Sequence, residues 1–389
     1  MNSIFDEAKK LEPTLIEWRR SLHRIPEVNL SLPETVSFIT DKLNDMSVDY
    51  SIIPNTNCIV ATIGNGDNCI LLRSDMDALP MKENTDLEYK SENNNMHACG
   101  HDIHATILLG AAKILKNMEN SLNGTVKLLF QPGEETFSGA MQAISGGVLE
   151  NPVPERAFAM HALSTLEPGT IIYGEKPLTS VYGFKITIKG KGGHGSTPED
   201  CIDPIQTAAN IYLGLQSLIA REIASSDEAV LTIGNFQAGS TPNIIPDEAY
   251  LQGTLRTFDD HIANYLINRI KQISEGISTT YRTEVLIEEL SRVPAVHCDS
   301  EFTDFVKNSI SDLDKNIELK DCMHATASED FAYISKLVKS TYFGIGASVG
   351  PKDSWYPHHN PNVQFNESAI VLGTASYVKV AVDWLNNNN

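Results

Sequence analysis

The amino-acid sequence predicts an α/β protein, a central sheet flanked by helices, interrupted once by an inserted α+β module. Three observations carry this expectation. Compact apolar runs, Ile70-Leu71-Leu72, Val126-Lys127-Leu128-Leu129-Phe130, Ala157-Phe158-Ala159-Met160 and Thr341-Tyr342-Phe343, are bounded by polar or glycine-containing stretches, as strands buried on both faces of a sheet are. Between the first two lies the segment 104–118, whose Ile107, Leu108, Ala111, Ile114 and Leu115 make one helical face. Near residue 178 the pattern changes, and 181–189 alternates apolar with polar residues like a strand with one solvated face.

The remaining elements follow in order. Ile4, Phe5, Ala8, Leu11, Leu15, Ile16 and Trp18 stand at helical spacing, with an interruption expected at Pro13. A second helix is expected to start at Leu32-Pro33-Glu34, where proline suits a first turn, and to run through Val36, Ile39 and Leu43. After the strand at 181 come a helix over 205–223, strands from Ala229 and Ala249, a helix over 261–277 and a strand from Thr283. That succession reads as a self-contained module. The expected domains are 1–178 with 292–389, and 179–291, and residues 386–389 read as a disordered tail.

Composition narrows the function. The 389 residues carry 50 acidic against 30 basic side chains, a net charge of −20 and a pI near 4.9. Such a chain is repelled by phosphate backbones and anionic lipid, and no basic patch offsets this, so no nucleic-acid or membrane partner is expected. With 41% apolar and 21% charged residues the chain is an ordinary folded protein rather than a disordered one. The first residues intersperse charges among short apolar stretches, unlike a signal peptide, and no uninterrupted apolar run approaches the ~18 residues of a membrane span. Six scattered cysteines fit free thiols in a reducing compartment. A cytoplasmic location is the expectation.

The densest chemical signal is the run from Met96 to His104, which holds His97, Cys99, His101, Asp102 and His104. Imidazole and thiolate suit borderline transition metals, and Gly100 lets the backbone turn so that two donors converge. The plainer alternative is a polar loop capped by Asp102 at the start of the next helix, with Cys99 merely buried. Three strand candidates tip the balance, because they end in Ser74-Asp-Met-Asp77, in Gln131-Pro-Gly-Glu-Glu135 and in His161. Working residues of open α/β sheets gather beyond the carboxyl ends of the strands. A metal hydrolase needs one carboxylate on the metal and a second, unbound, to carry protons, which Glu134 and Glu135 can supply between them. The loop Pro357-His358-His359-Asn360-Pro361 adds two more imidazoles.

These residues resemble a known family. Arg19 to Glu27, Ser74 to Pro80, His97 to His104, Gln131 to Glu135, Gly190 to His194, Asn243 to Pro246, Gly253 to Thr257, Ser328 to Phe331 and His359 to Pro361 look, in order, like the motifs of the metal-dependent amidohydrolases. That group includes hippurate hydrolase, N-acetyldiaminopimelate deacetylase and the indoleacetyl-amino-acid hydrolases. The resemblance implies a di-metal exopeptidase-like catalytic domain with a mixed central sheet, plus an inserted lid and dimerisation domain. It further implies that Cys99, His101, Glu135, His161 and His359 bind two divalent metal ions, zinc, manganese, nickel or cobalt, with Glu134 as general base and acid. Counting back from Asn366-Glu367 puts the ligand at His359 rather than His358. In the lid, His194, Asn243 and Arg256 match positions that contact substrate or the developing oxyanion, His194 reaching the partner subunit's site in a homodimer. The implied reaction is hydrolysis of a small N-acyl amino acid to a carboxylate and a free amino acid. The alternatives are a dipeptidase or carboxypeptidase on the same site, a catalytically idle metal-binding relative, and a hydrolase using Cys99 as nucleophile. Gly133 and Gly195-Ser-Thr-Pro depart from the family's common alanines but stay small.

Overall fold

The structure, a computed structural model, describes residues 3–387. It divides into two compact units: Met1–Pro177, His297–His324 and Asp330–Asn389 form the larger, Leu178–Val296 and Ala325–Glu329 the smaller. The sequence reading ends the insertion at 291. The observed return falls at Val296, and Ala325–Glu329 joins the smaller unit because Ala325 bridges to Leu178 and Ala327 O accepts from Thr179 N at 2.8 Å. Backbone pairing between segments this far apart leaves no local sequence signal.

In chain order the larger unit starts with α1 (Ile4–Arg24), α2 (Pro33–Asp45), β1 (Asp49–Ile52), β2 (Ile59–Gly64), β3 (Cys69–Asp75), α3 (His101–Asn117), β4 (Thr125–Gln131), α4 (Gly139–Ser145), β5 (Arg156–Leu163) and β6 (Thr170–Tyr173). The smaller unit contributes β7 (Ser180–Lys189), β8 (Gly193–His194), α5 (Pro204–Glu222), β9 (Ala229–Ala238), β10 (Ile244–Ile245), β11 (Glu248–Thr257), α6 (Asp260–Tyr281) and β12 (Glu284–Val293). The chain then adds α7 (Ser300–Ser311), β13 (Glu318–Asp321), α8 (Ala332–Ser335), β14 (Lys339–Gly346) and α9 (Ser368–Asn387) to the larger unit.

The larger unit is built on an eight-stranded mixed sheet in the order β1-β2-β4-β3-β5-β14-β6-β13. Its centre, β4, β3, β5 and β14, is parallel, with Asp75 opposite Gln131 and His161 opposite Gly344, so the carboxyl ends of these strands lie in line. Every residue of β3 and β4 is buried, as continuous apolar runs require. Phe130, Phe158 and Phe343 are wholly buried, each contributing roughly 1.5–3 kcal/mol by leaving water. α1, α3 and α9 pack on one another. Their close approach depends on Gly110, where a Cβ would fall 2.6 Å from Thr374 Oγ1 and 3.0 Å from Leu15 Cδ2.

Two expectations change here. α1 runs unbroken through Pro13, which sits on the exposed face where water can satisfy the carbonyl one turn back. Asn386 and Asn387, expected in a disordered tail, belong to α9, and Asn388 and Asn389 lie outside the described residues. α9 is long and apolar enough to span a membrane by length and composition, yet 78% of its apolar window is buried in the larger unit's core, and it carries the ion pair Lys379–Asp383.

The smaller unit follows the expected succession. Its antiparallel sheet, β12-β7-β11-β9, buries Phe184, Ile186 and Ile188 of β7 against Ile211 and Leu215 of α5 and Leu266 and Ile270 of α6. Asp203 and Asp259 start the two helices by accepting from the N–H groups of Ile205 and His261, each at 2.8 Å.

Candidate metal centre

The carboxyl ends of β3, β4 and β5, the first turn of α3 and the loop before α9 supply the chemistry-bearing side chains. Gly100 adopts φ +87°, and a Cβ there would meet the Phe365 ring at 3.1 Å, so only glycine allows the sharp turn between Cys99 and His101. The residue at the N-cap of α3 is therefore Gly100 and not Asp102, which lies buried inside the first turn. After β4 the chain turns at Gly133, and the Asp77 carboxylate accepts from Glu134 N at 3.1 Å and Glu135 N at 3.2 Å. One aspartate thus fixes the backbone under both glutamates. His359 is held in the left-handed region at φ 62°, its N–H donating to Ala98 O at 3.0 Å, so the loop before α9 is tied to the cysteine segment.

These elements gather the five expected ligands. Cys99 Sγ lies 3.4 Å from His161 Nε2, and His359 Nε2 lies 3.3 Å from Glu135 Oε1. The donor atoms of Cys99, His101 and His161 fall within 4.8 Å of one another, as do those of Cys99, Glu135 and His359, and those of His101, Glu134 and Glu135. Cys99 belongs to both of the first two groups. Both ring nitrogens of His101 are buried with only long contacts, Nδ1 3.5 Å from Asp77 and Nε2 3.8 Å from Asp75, and Glu135 Oε1 is buried with His359 Nε2 at 3.3 Å. Buried thiolate, imidazole and carboxylate atoms that meet one another at such long distances are what a borderline divalent metal satisfies. The residues fit such ions. His161 donates from Nδ1 to Ala162 O at 2.8 Å, which leaves Nε2 as its lone-pair nitrogen facing Cys99. His358 Nε2 instead lies 3.0 Å from Ala162 O, and only His359 faces Glu135.

The charges of the cluster are strongly coupled. Burial pushes the Cys99 thiol pKa up and Glu135 adds to this. Hydrogen bonds to Cys99 and Glu135 hold the His359 imidazolium up to about 10. Burial opposes charge on His101, but the negative fields of Asp75 and Cys99 raise its pKa well above the ordinary value. Burial keeps His161 well below it.

The substrate residues expected in the smaller unit do not all meet. His194 on β8 pairs with Ile244, next to Asn243, and Gly195 N donates to Asn243 O at 2.9 Å. Arg256 lies near the far end of β11, its Nη1 donating to Thr326 O at 2.9 Å and Ser328 Oγ at 3.0 Å. Arg256 stands eight positions along β11 from Glu248, a rise of roughly 26 Å.

Residues 71–383 match the family described as peptidase family M20/M25/M40. The chain belongs to this family. Its M20 relatives include the N-acetylcysteine deacetylase of Bacillus subtilis, 33% identical over 96% of this chain and 97% of that one. The hippurate hydrolase of Campylobacter jejuni is 32% identical over 98% and 100%, and thermostable carboxypeptidase 1 of Saccharolobus solfataricus 31% identical over 98% of both. Among solved structures, an aminohydrolase from methicillin-resistant Staphylococcus aureus, described as putative, superposes with a TM-score of 0.93 at 31% identity, covering 98% of this chain and 99% of that one. A Bacillus subtilis protein described as a dinuclear metal binding peptidase of the M20 family superposes at 0.83 with 31% identity, covering 97% and 99%. This M20 chain therefore has the mixed-sheet α/β fold with an insertion that its sequence predicts.

Several residues of the M20 centre carry roles the sequence pattern does not reveal. In the sequence Asp75 and Asp77 mark only a polar strand ending, whereas Asp75 binds Arg73 and His104, and Asp77 supports the glutamate turn and lies 3.5 Å from His101 Nδ1. Arg19 and His23, one turn apart on α1, are buried against Asp102, each 2.8 Å from its Oδ2. Their spacing on the face that also carries Leu15 and Leu22 is the one local signal of that burial.

Proposed function

We propose that this M20-family chain hydrolyses the amide bond of N-acyl amino acids, with two divalent metal ions held by Cys99, His101, Glu135, His161 and His359. The observation that carries the reading is the turn on Asp77. It presents two adjacent glutamates, of which Glu135 joins the Cys99 and His359 donors while Glu134, 6% exposed, stays at the edge of that group. Bound ions supply Lewis acidity toward the amide carbonyl and a water whose pKa falls toward neutrality. The Glu134 carboxylate is placed to accept a proton from the attacking water and would pass it to the departing amine.

Ser196 N donates to His194 Nδ1 at 3.1 Å, so the proton of the neutral ring sits on Nε2. That N–H is the donor for the tetrahedral oxyanion, an interaction whose loss typically costs roughly 3–4 kcal/mol. Thr326 and Ser328 fix the Arg256 guanidinium, whose forked donors suit the α-carboxylate of the substrate. With His194 and Arg256 at opposite ends of β11, one smaller unit does not bring both to one small substrate. This separation supports a homodimer in which His194 and Asn243 serve the partner's centre. The edge strand β9, with Val230 and Phe236 exposed, and Leu213 of α5, 66% exposed, support a second copy covering this face. The six free thiols support a reducing, cytoplasmic setting, in which Cys99 remains available to metal.

The carboxypeptidase relative favours a second reading, cleavage of small peptides by the same centre. A turnover panel separates the two. After chelation and metal add-back, release of amino acid from acetyl, benzoyl, succinyl or indoleacetyl conjugates supports the first reading, and preference for dipeptides with a free amine replaces it with the second.

A further inference from the structure

His104 and His358, two histidines beside the metal centre, converge on a single residue, Ala162. Ala162 N–H donates to His104 Nε2 at 2.8 Å, and the other ring nitrogen, Nδ1, lies 2.6 Å from Asp75 Oδ1. An accepting Nε2 puts the ring proton on Nδ1, so His104 donates to Asp75, whose second oxygen takes a hydrogen bond from Arg73 Nη1 at 2.8 Å. His104 is 2% exposed, and lying three residues after His101 it shares that ligand's helix face, with ring centroids 5.3 Å apart. At the other side of Ala162, the carbonyl accepts from His161 Nδ1 at 2.8 Å. His358 Nε2 sits between Ala162 O at 3.0 Å and Ser164 N at 3.2 Å, pinning the same stretch of β5 in either tautomer.

We infer that His104 is a positioning residue for His161, acting through the Ala162 backbone. Asp75 and Arg73 fix His104, His104 fixes the Ala162 N–H, and the neighbouring Ala162 carbonyl holds the proton of His161 on Nδ1. The unprotonated Nε2 of His161 then faces Cys99 Sγ at 3.4 Å. If Ala162 moves, that Nδ1–H loses its acceptor and the ring is free to rotate or to carry its proton on Nε2, and either change removes the lone pair from the donor group. A hydrogen-bond partner behind a ligating imidazole fixes its tautomer and orientation. Here that support extends through three elements, β3, α3 and β5, joined by Asp75, His104 and Ala162.

The inference rests on the metal reading proposed above, so its test reads metal affinity separately from turnover. His104→Phe keeps the ring and removes both nitrogens; His104→Gln can still donate to Asp75 and accept from Ala162; His104→Asn reaches Asp75 alone. Zn2+ and Co2+ affinities are measured by chelator competition, with the visible spectrum of the Co2+ protein as a readout of ligand geometry. The expected result is roughly 10–100-fold weaker metal binding in His104→Phe and His104→Asn, an altered Co2+ spectrum and lower kcat with KM little changed, and recovery of all three in His104→Gln. If His104→Phe does not fold by circular dichroism, the Asn and Gln pair carries the comparison. Folded His104→Phe or His104→Asn protein with wild-type affinity and spectrum overturns the inference, as does a folded His104→Gln protein as impaired as they are. A wild-type chain that binds no divalent ion refutes the functional reading itself, and the inference with it.

Discussion

Cys99 and His359 hold their protons in the metal-free protein, because burial and Glu135 raise the thiol pKa while hydrogen bonds to Cys99 and Glu135 hold the imidazolium up to about 10. Both groups bind metal only after losing those protons. Metal binding therefore releases protons, and apparent affinity rises with pH across the neutral range by up to about tenfold per pH unit for each proton released. Calorimetry in buffers of different ionisation enthalpy checks this; affinity and heat independent of pH and buffer would contradict it. At this scale the candidate donors were legible because His, Cys and Glu crowd into two short motifs, one strand end and one proline-bounded loop. The supports were not. Asp77, Arg73 and His104 act through pairings between β3, α3, β5 and the turn after β4, and nothing in their local sequence distinguishes a backbone clamp from a turn former.

The helices that carry these residues are joined by a buried charge cluster. Arg19 and His23 of α1 both contact Asp102 in the first turn of α3, and Glu83 lies 3.2 Å from His23. Although burial alone would raise it, the Asp102 pKa is driven far below the usual carboxylate range by Arg19 and His23. A depressed carboxylate stabilises the fold above its unfolded pKa and loses that contribution as pH falls through the folded value. Asp102→Asn leaves buried Arg19 with only the longer pairing to Glu367 at 3.4 Å, so at pH 7 it costs up to roughly 3–5 kcal/mol. Urea unfolding of both proteins from pH 7 downward is expected to show the largest gap at neutrality, narrowing only in strong acid; equal stability at pH 7 would contradict the latch. Where the sequence pattern marked an element its type was readable, but β1, β2, α4, β6, α7 and β13 left no clear pattern. Pro13 misled because a proline on an exposed helix face costs less than one in a packed interior, and periodicity does not report which face meets water.

Over the whole molecule, the change from buried runs to alternating strands near residue 178 announced the insertion, and the antiparallel sheet of the smaller unit accounts for it. The exact return was hidden, because Ala325–Glu329 is drawn in by pairing with Leu178 and Thr179. The proposed exchange of His194 between subunits predicts complementation. Glu134→Gln and His194→Ala chains, each inactive alone, regain turnover when mixed under conditions that exchange subunits, since one centre of the hybrid then has both groups intact. A mixture as inactive as its components places His194 in the service of its own chain. The net charge of −20 weighs against polyanionic partners, and for the proposed anionic substrate the forked cation of Arg256 is the local exception.

The central claim is that Glu134 carries protons beside a metal-bound Glu135. It is tested most directly by Glu134→Gln, assayed for bound metal and for turnover of the best N-acyl amino acid in the panel. The expected result is wild-type metal content, near-wild-type KM and a kcat lower by about 10²–10⁴-fold. A Glu134→Gln protein that keeps near-wild-type kcat, with its metal in place, would contradict the account.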